Sequence, residues 1–445
     1  MLQSIKITGL FGRFNYELSF PCEGIMIITG PNGYGKSTIL RIINNFCNNN
    51  IEKVLSYSFN KITIVCDNCS IQITKSKNKF KINNYEFPYP NEKWDRSRRI
   101  PKYIRQIGYN EYIDISTSEK IQMMGGFPKQ VITGDENIQK LAFSILEVLE
   151  NEPTSIKINE KMQELQEAFD LIKYVQNNIG KVHFIQEQRL IEKREVTEDE
   201  RRYIQTKEEY VTVINENSEK LKSELAEIMK QHSSISSNLD STYIKRLFEA
   251  DPTQIVSDDV VDKLRKLQEK QDKLQKYGLA EIQNASYLNQ LDESKLNRFG
   301  IELSIYLEDA NTKYNVFESI IDKLELYERI VNEKLTFKKM ILSRIDGIVV
   351  KTDEGDLLSL NDLSSGEQEI LVLFYKLIFE SDVNLLLIDE PEISLHIAWQ
   401  KELMENLKSV VNLKKDIQVI IATHSPQIIS HNWDLQIDLG GLHNG

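Results

Sequence analysis

Two hydrophobic patterns divide the chain. Toward each end, short apolar runs stand between turn residues, whereas in the middle apolar residues recur at three- and four-residue spacing among charges. Ile5-Lys-Ile-Thr and Phe14-Asn-Tyr-Glu-Leu alternate as half-buried strands do. Lys61-Ile-Thr-Ile-Val and Ser70-Ile-Gln-Ile-Thr alternate likewise, and Asp67-Asn68 between them predicts a hairpin; strands and turns continue through Phe80–Phe87. Gly24-Ile-Met-Ile-Ile-Thr, Asn384–Ile388 and Ile417-Gln-Val-Ile-Ile-Ala are continuous apolar runs, the form of strands covered on both faces of a parallel sheet. Residues 91–135 read as irregular, with Gly125-Gly126 and Gly134 as breaks.

Helical periodicity begins near residue 138 and is clear at Ile158, Met162, Leu165, Phe169 and Ile172. Charged helical sequence then runs from about 191 to 345 with three stripes. Tyr210, Ile214, Leu221, Leu225 and Ile228 form the first, interrupted by the polar segment Ser233–Asn238. Val260, Leu264, Leu267 and Leu274 form the second; Phe317, Ile321, Leu324, Val331 and Leu335 form the third. Heptad-like order slips after two or three repeats, which argues against a long rod. The expectation is an α/β fold in three parts: an N-terminal lobe (1–190), a short coiled-coil or helical insertion (191–345) and a C-terminal lobe (346–445). Simple bundle packing accounts for most of the stripe residues.

The chemistry clusters at the apolar runs. Gly30-Pro-Asn32-Gly33-Tyr-Gly35-Lys36-Ser37-Thr38 follows the first run, and its glycines let backbone N–H groups wrap an anion at a helix N-terminus. In that pattern Lys36 reaches terminal phosphates and Ser37 offers a hydroxyl to Mg²⁺. Asn384–Ile388 ends in Asp389-Glu390, at the strand end where α/β sheets place ligands. Asp389 is the expected Mg²⁺ partner, and Glu390 the carboxylate that polarises attacking water. His424 follows the third run, placed to touch a γ-phosphate.

Gly30–Thr38, Leu363-Ser364-Ser365-Gly366-Glu367-Gln368, Leu385–Glu392 and His424 resemble the Walker A, signature, Walker B and switch-histidine motifs of the ABC-type ATPase superfamily. Ser365 departs from the glycine usual at the third position of L-S-G-G. The signature begins a helix read as amphipathic from Ile370, Leu371, Leu373, Phe374, Leu377 and Ile378. The resemblance implies a slow ATPase with ATP and Mg²⁺ as cofactors, working as a head-to-tail, ATP-sandwiched homodimer or higher homo-oligomer. Ser364, Gly366 and Gln368 of one subunit would contact nucleotide held by the other. It also implies a Gln-loop after a strand between the two ATP phrases: Gln188 after Lys181-Val-His-Phe-Ile185 is favoured as a Mg²⁺ and water contact, with Gln186 as the alternative.

Asp389-Glu-Pro-Glu-Ile-Ser-Leu-His396 narrows the resemblance to the soluble SMC/RecF/OLD branch, including ATPase subunits of bacterial anti-phage systems such as Septu and PARIS. Transporter subunits usually carry aspartate where His396 stands here. No acidic nuclease constellation follows His424, so on this reading nucleic-acid cleavage belongs to a separate effector of HNH or Toprim type. The alternatives are an SMC/RecF-like repair or chromosome ATPase acting on DNA ends, and a scaffold that binds ATP without turnover.

Composition sets outer bounds. Across 445 residues the net charge of −12 disfavours broad nonspecific DNA binding. Lys93–Arg105 is an exception that mixes Lys and Arg with Trp94 and Tyr103; it reads either as a nucleic-acid contact or as a solvated loop. No apolar run reaches membrane-spanning length, and the N-terminus lacks signal-peptide character, so a cytoplasmic location is expected. Cys66-Asp-Asn-Cys69 has C-x-x-C spacing but reads as a hairpin turn, with metal or redox function as the lesser alternative.

Overall fold

The alternating segments near the N-terminus pair with one another. In this computed structural model, which describes residues 1–21, 24–89, 104–108, 111–114, 120–124, 127–128, 145, 158–185, 191–193, 210–250, 260–280, 299–380, 383–393 and 396–443, β1 (Leu2–Leu10) and β2 (Phe14–Ser19) form a hairpin. β3 (Ile25–Thr29) leads through the glycine-rich loop into α1 (Lys36–Cys47), followed by α2 (Ile51–Ser56). β4 (Lys61–Cys66), β5 (Cys69–Lys75), β6 (Lys79–Ile82) and β7 (Tyr85–Pro88) extend the antiparallel sheet, in the order β2-β1-β4-β5-β6-β7. Cys66 and Cys69 face each other across the β4–β5 turn, as the hairpin reading requires. Among the described residues, no group of three or more His, Cys, Asp or Glu is placed to hold a metal ion.

Within 91–135, the described residues depart from expectation. β8 (Ile104–Gly108), β9 (Glu111–Asp114), β10 (Lys120–Met124) and β11 (Phe127–Pro128) pair as a second antiparallel sheet. These strands are only two to five residues long, too short for a period of two to stand out. β10 pairs with β11 at Met124 and Phe127, while Gly125, Gly126 and Gly134 lie outside the described residues.

α3 (Ile158–Ile179) precedes β12 (Lys181–Ile185), and β13 (Ile191–Lys193) pairs with β14 (Tyr210–Thr212). The central helices are α4 (Val213–Glu249), α5 (Val260–Lys276), α6 (Gly300–Asn315) and α7 (Glu318–Asn332). The first stripe corrects in two ways. Tyr210 belongs to β14, and α4 runs unbroken through Ser233–Asn238. Ion pairs to α6, Lys313 with Asp240 at 2.6 Å and Arg246 with Asp309, fix that distal half where apolar contacts thin out. Leu264 and Leu267 of α5 pack on Leu307 and Ala310 of α6 in a small core of their own. The helical stretch expected to reach 345 ends at Asn332. β15 (Lys338–Ser343), β16 (Gly347–Thr352) and β17 (Leu357–Leu358) form a meander, so the 345–346 boundary falls in its first turn.

The chain then alternates: α8 (Ser365–Phe379), β18 (Val383–Asp389), α9 (Ile397–Lys414), β19 (Gln418–Ala422), α10 (Pro426–Ile429), β20 (Gln436–Asp438) and α11 (Leu439–His443). The continuous apolar runs assemble into a five-stranded parallel sheet, ordered β12-β18-β19-β3-β20. Period-two geometry splits each strand between two cores. Met26 and Ile28 of β3 join α1 and the antiparallel sheet, while Ile25 and Ile27 join α7, α8 and α9. α8 proves buried nearly all round, at Ile370–Tyr375 and Leu377–Phe379, rather than amphipathic. It lies between the sheet and the base of the helical insertion, and Tyr327 of α7 donates to the Leu371 carbonyl at 2.9 Å. Among the described residues, no helix is long and apolar enough to cross a membrane.

Candidate nucleotide site

The loop after β3 is shaped by backbone conformations that favour glycine. Gly35 has φ of 92° where α1 begins, and a Cβ there would stand 2.8 Å from Leu10 Cδ2. The bend sends the first turn of α1 toward the carboxyl ends of the parallel strands, where its N–H groups and dipole favour anions. Asn32, Gly33, Gly35, Lys36, Ser37 and Thr38 line a cavity of about 270 Å³ with Phe11 and Glu390. Lys36 is 5% exposed and donates to the Gly30 carbonyl at 3.0 Å, and its ammonium also contacts His424 Nε2. Burial pulls the Lys36 pKa down, against the opposing pull of Glu390, Asp389 and Glu392.

β18 carries the acidic pair to the same place. Asp389 is 8% exposed and accepts a hydrogen bond from Ser37 Oγ at 2.8 Å. Burial raises its carboxyl pKa, despite the Ser37 bond and the nearby cations Arg41 and Lys36. Glu390 is held with φ of 45°, a strained conformation for a non-glycine residue, and its N–H is tied to the Ala422 carbonyl at 2.9 Å. Its Oε1 stands 3.6 Å from His424 Nε2. Five expected residues (Lys36, Ser37, Asp389, Glu390 and His424) thus meet at one sheet end. The shifts on Lys36 and Asp389 both oppose charge in the bare protein. A phosphate chain would offset Lys36 and a divalent cation would offset Asp389, so the donor set fits both groups.

Ser364, Gly366 and Gln368 are not among the residues lining this cavity. Ser364 is exposed and caps α8: its hydroxyl donates to Glu367 Oε2 at 2.8 Å and accepts from the Glu367 N–H at 3.4 Å. Gln368 spends its amide on its own loop, donating to the carbonyls of Leu360, Asn361 and Leu363 at 3.0–3.3 Å. Strand β12 stands beside β18 as a Gln-loop needs, but Gln186 and Gln188 lie outside the described residues. So does the basic segment as far as Tyr103; Ile104 and Arg105 begin β8.

Two residues of this neighbourhood were not singled out by the motifs. Phe11, with φ of 53° in the β1–β2 turn, is 43% exposed, and its Cε2 comes within 3.2 Å of the position a Gly35 Cβ would take. The available signal is an aromatic between Gly9 and Gly12, in a turn where polar residues usually stand. The second is Gln400 of α9, which has no motif of its own.

A glycine-rich loop running into a helix, an acidic pair ending the neighbouring parallel strand and a histidine on the next define a P-loop ATPase. The family model described as an AAA ATPase domain (AAA_15) matches residues 1–429, so the chain belongs to that family and is an ATP-binding ATPase. Solved structures similar to the chain include the Smc head domain with an extended coiled coil, bound to the C-terminal domain of ScpA, from Pyrococcus furiosus. That match has 12% identity and a TM-score of 0.34, covering 96% of this chain and 91% of the other. Another is the SmcHead bound to the C-winged helix domain of ScpA, at 10% identity and a TM-score of 0.33, with the same coverages.

Proposed function

We propose that the chain is the ATP-driven switch of a bacterial anti-phage system. Two copies sandwich ATP, and their assembly state controls a separate nuclease or toxin effector. The observation that carries the ATP switch is the convergence of Lys36, Ser37, Asp389, Glu390 and His424 at one sheet end, beside a cavity lined by Lys36, Ser37 and Glu390. In this reading Lys36 offsets phosphate charge, the α1 N-terminus cradles the phosphates, and Glu390 takes the proton from attacking water. His424 approaches the terminal phosphate, and Phe11 offers its ring to the base. Ser37 and Asp389 would hold Mg²⁺, which when bound neutralises phosphate charge and fixes its orientation.

Several features support a second copy. The cavity is no larger than the low end of small-molecule pockets, roughly 300 Å³, and Ser364 caps a helix whose start is turned to solvent. Ile393 and Ile397, beside exposed His396, are 53% and 61% exposed, an apolar rim that a second copy would cover. Effector control is supported by the resemblance of Asp389–His396 to the soluble anti-phage branch.

The test is coexpression with the neighbouring gene under phage challenge. Protection should need both genes and fail with Lys36→Ala. Should the chain alone restore growth after DNA damage, with no effect on phage, a DNA-repair ATPase replaces this reading.

A further inference from the structure

Glu392 lies two residues beyond Glu390, and its carboxylate serves a different purpose. One oxygen, Oε1, accepts from Thr423 Oγ1 at 2.8 Å, the His424 N–H at 2.6 Å and the Ser425 N–H at 3.2 Å. The loop after β19 is therefore gripped on both sides of its histidine by one atom. Gln400, 7% exposed in the first turn of α9, completes the circuit. Ser425 Oγ donates to Gln400 Oε1 at 2.7 Å, and Gln400 Nε2 donates to the Glu392 carbonyl at 3.2 Å. Thr423 is fully buried and adds a bond from the Ser425 N–H to its own hydroxyl at 2.9 Å. The His424 ring takes no part in this circuit; it leans out toward Lys36 and Glu390.

We infer that Glu392 and Gln400 are positioning residues that fix the backbone of Thr423–Ser425 and so set where the His424 ring stands. This rests on the ATPase reading of the site. A carboxylate suits the task because three donors converge on one oxygen, and bonds to an ionised acceptor are roughly twice as strong as neutral ones. The same convergence argues against Glu392 as a second water-activating base, since the oxygen nearest the histidine loop is already saturated and Oε2 is buried. Gln400 extends the grip to α9: its two-ended amide allows helix and loop to move only together.

The test uses the full chain with Glu392→Ala, Glu392→Gln and Gln400→Ala. Hydrogen exchange across residues 423–425 reads the backbone, and ATP affinity and turnover are measured in parallel. Glu392→Ala should speed exchange of the His424 and Ser425 amides about tenfold, as loss of a charge-assisted bond predicts. It should leave ATP affinity within about twofold and lower turnover about tenfold. Glu392→Gln should recover part of the protection, and Gln400→Ala should cost about threefold in turnover, less than Glu392→Ala because the bonds it removes are neutral. In a His424→Ala background the Glu392→Ala step should add less than about twofold, because residues acting as a unit are not additive. Unchanged exchange in the Glu392 variants, or an equal loss of turnover with and without His424, overturns the inference. If His424→Ala leaves no measurable turnover, exchange alone decides. If Glu392→Ala fails to fold, the Gln variant and Gln400→Ala carry the comparison. Absence of turnover in the unaltered protein would instead strike the ATPase reading, while the exchange comparison would still stand.

Discussion

Ser37 Oγ donates to Asp389 Oδ1 at 2.8 Å, although 352 residues separate the two in sequence. Ser37 stands on the first turn of α1 and Asp389 at the end of β18, so the bond fixes the phosphate-binding loop against the strand carrying the acidic pair. In the proposed ATP site the same two groups would hold the divalent cation.

Lys36→Ala and Glu390→Gln should separate binding from chemistry. Removing the ammonium should weaken ATP binding by about 10- to 100-fold, from the roughly 1.5–3 kcal/mol of a charge-assisted bond. Glu390→Gln should bind ATP as before and lose about 10²- to 10⁴-fold in turnover, the range for a general base. Equilibrium nucleotide binding and steady-state phosphate release measure the two. Normal turnover in the Glu390 variant would remove it from the chemistry.

Subunit sharing predicts complementation. Lys36→Ala and Ser364→Arg each damage both sites of their own homodimer, but a mixed dimer keeps one site with intact Lys36 and Ser364. Equal mixing should restore about a quarter of the unaltered rate, since half the dimers are mixed and each holds one of two sites. No recovery at any ratio, with mixed dimers shown to form, would mean the site is complete within one chain.

Phe11 should distinguish stacking from stability. Phe11→Ala removes the ring but keeps the strained φ of 53°, whereas Phe11→Gly also relieves that strain. Both should weaken adenine-nucleotide binding about tenfold, from stacking of roughly 1–3 kcal/mol. The glycine variant should melt no lower than the alanine variant. Equal affinity of all three proteins for ATP would place the base elsewhere.

Acid stability should report on the start of α8. Burial alone would raise the Glu367 pKa, but bonds from Lys338 and Ser364 and the Lys338 charge outweigh it and hold the carboxyl below its ordinary 4.5. Lys338 Nζ reaches both carboxylate oxygens at 2.9 Å. A depressed acid contributes stability that is fully present above the unfolded pKa and lost as pH falls through the folded one. Glu367→Gln should therefore lower the melting temperature at pH 7, with the difference from the unaltered protein narrowing as pH falls below about 4.5. A gap that stays constant down the titration would show that the Lys338 pair contributes nothing.

The residues that meet at the sheet end were legible because their motifs are local: a glycine pattern after an apolar run, two acids ending another and a histidine just after a third. The continuous runs at Ile25–Thr29, Val383–Asp389 and Gln418–Ala422 likewise announced a doubly covered sheet. What stayed hidden depends on partners distant in sequence. Helix α4 extends past Ser233–Asn238 because Asp309 and Lys313 lie alongside it, and no period within α4 encodes those charges. The strands within 104–128 are too short to show alternation, and Lys338–Ser343 followed helical sequence so closely that its alternation was absorbed into it. The use of Glu392 appears only once β19 is laid beside β18, which brings Thr423–Ser425 to its carboxylate.

The position of β3 also bears on how the protein is made. Its neighbours are β19 and β20, drawn from Gln418–Ala422 and Gln436–Asp438, so both edges of Ile25–Thr29 wait on sequence translated much later. At roughly 5–20 residues per second, the ~390 residues between Thr29 and Gln418 take about 20–80 s to emerge. During that interval an apolar strand has neither edge paired, the condition under which nascent chains aggregate or recruit chaperones. The antiparallel sheet has no such delay, because all six of its strands lie between Leu2 and Pro88. The parallel sheet that carries the phosphate loop therefore waits on sequence far downstream of it, and a ribosome that stalls before Asp389 leaves behind a folded antiparallel sheet carrying an open phosphate loop with no acids to answer it.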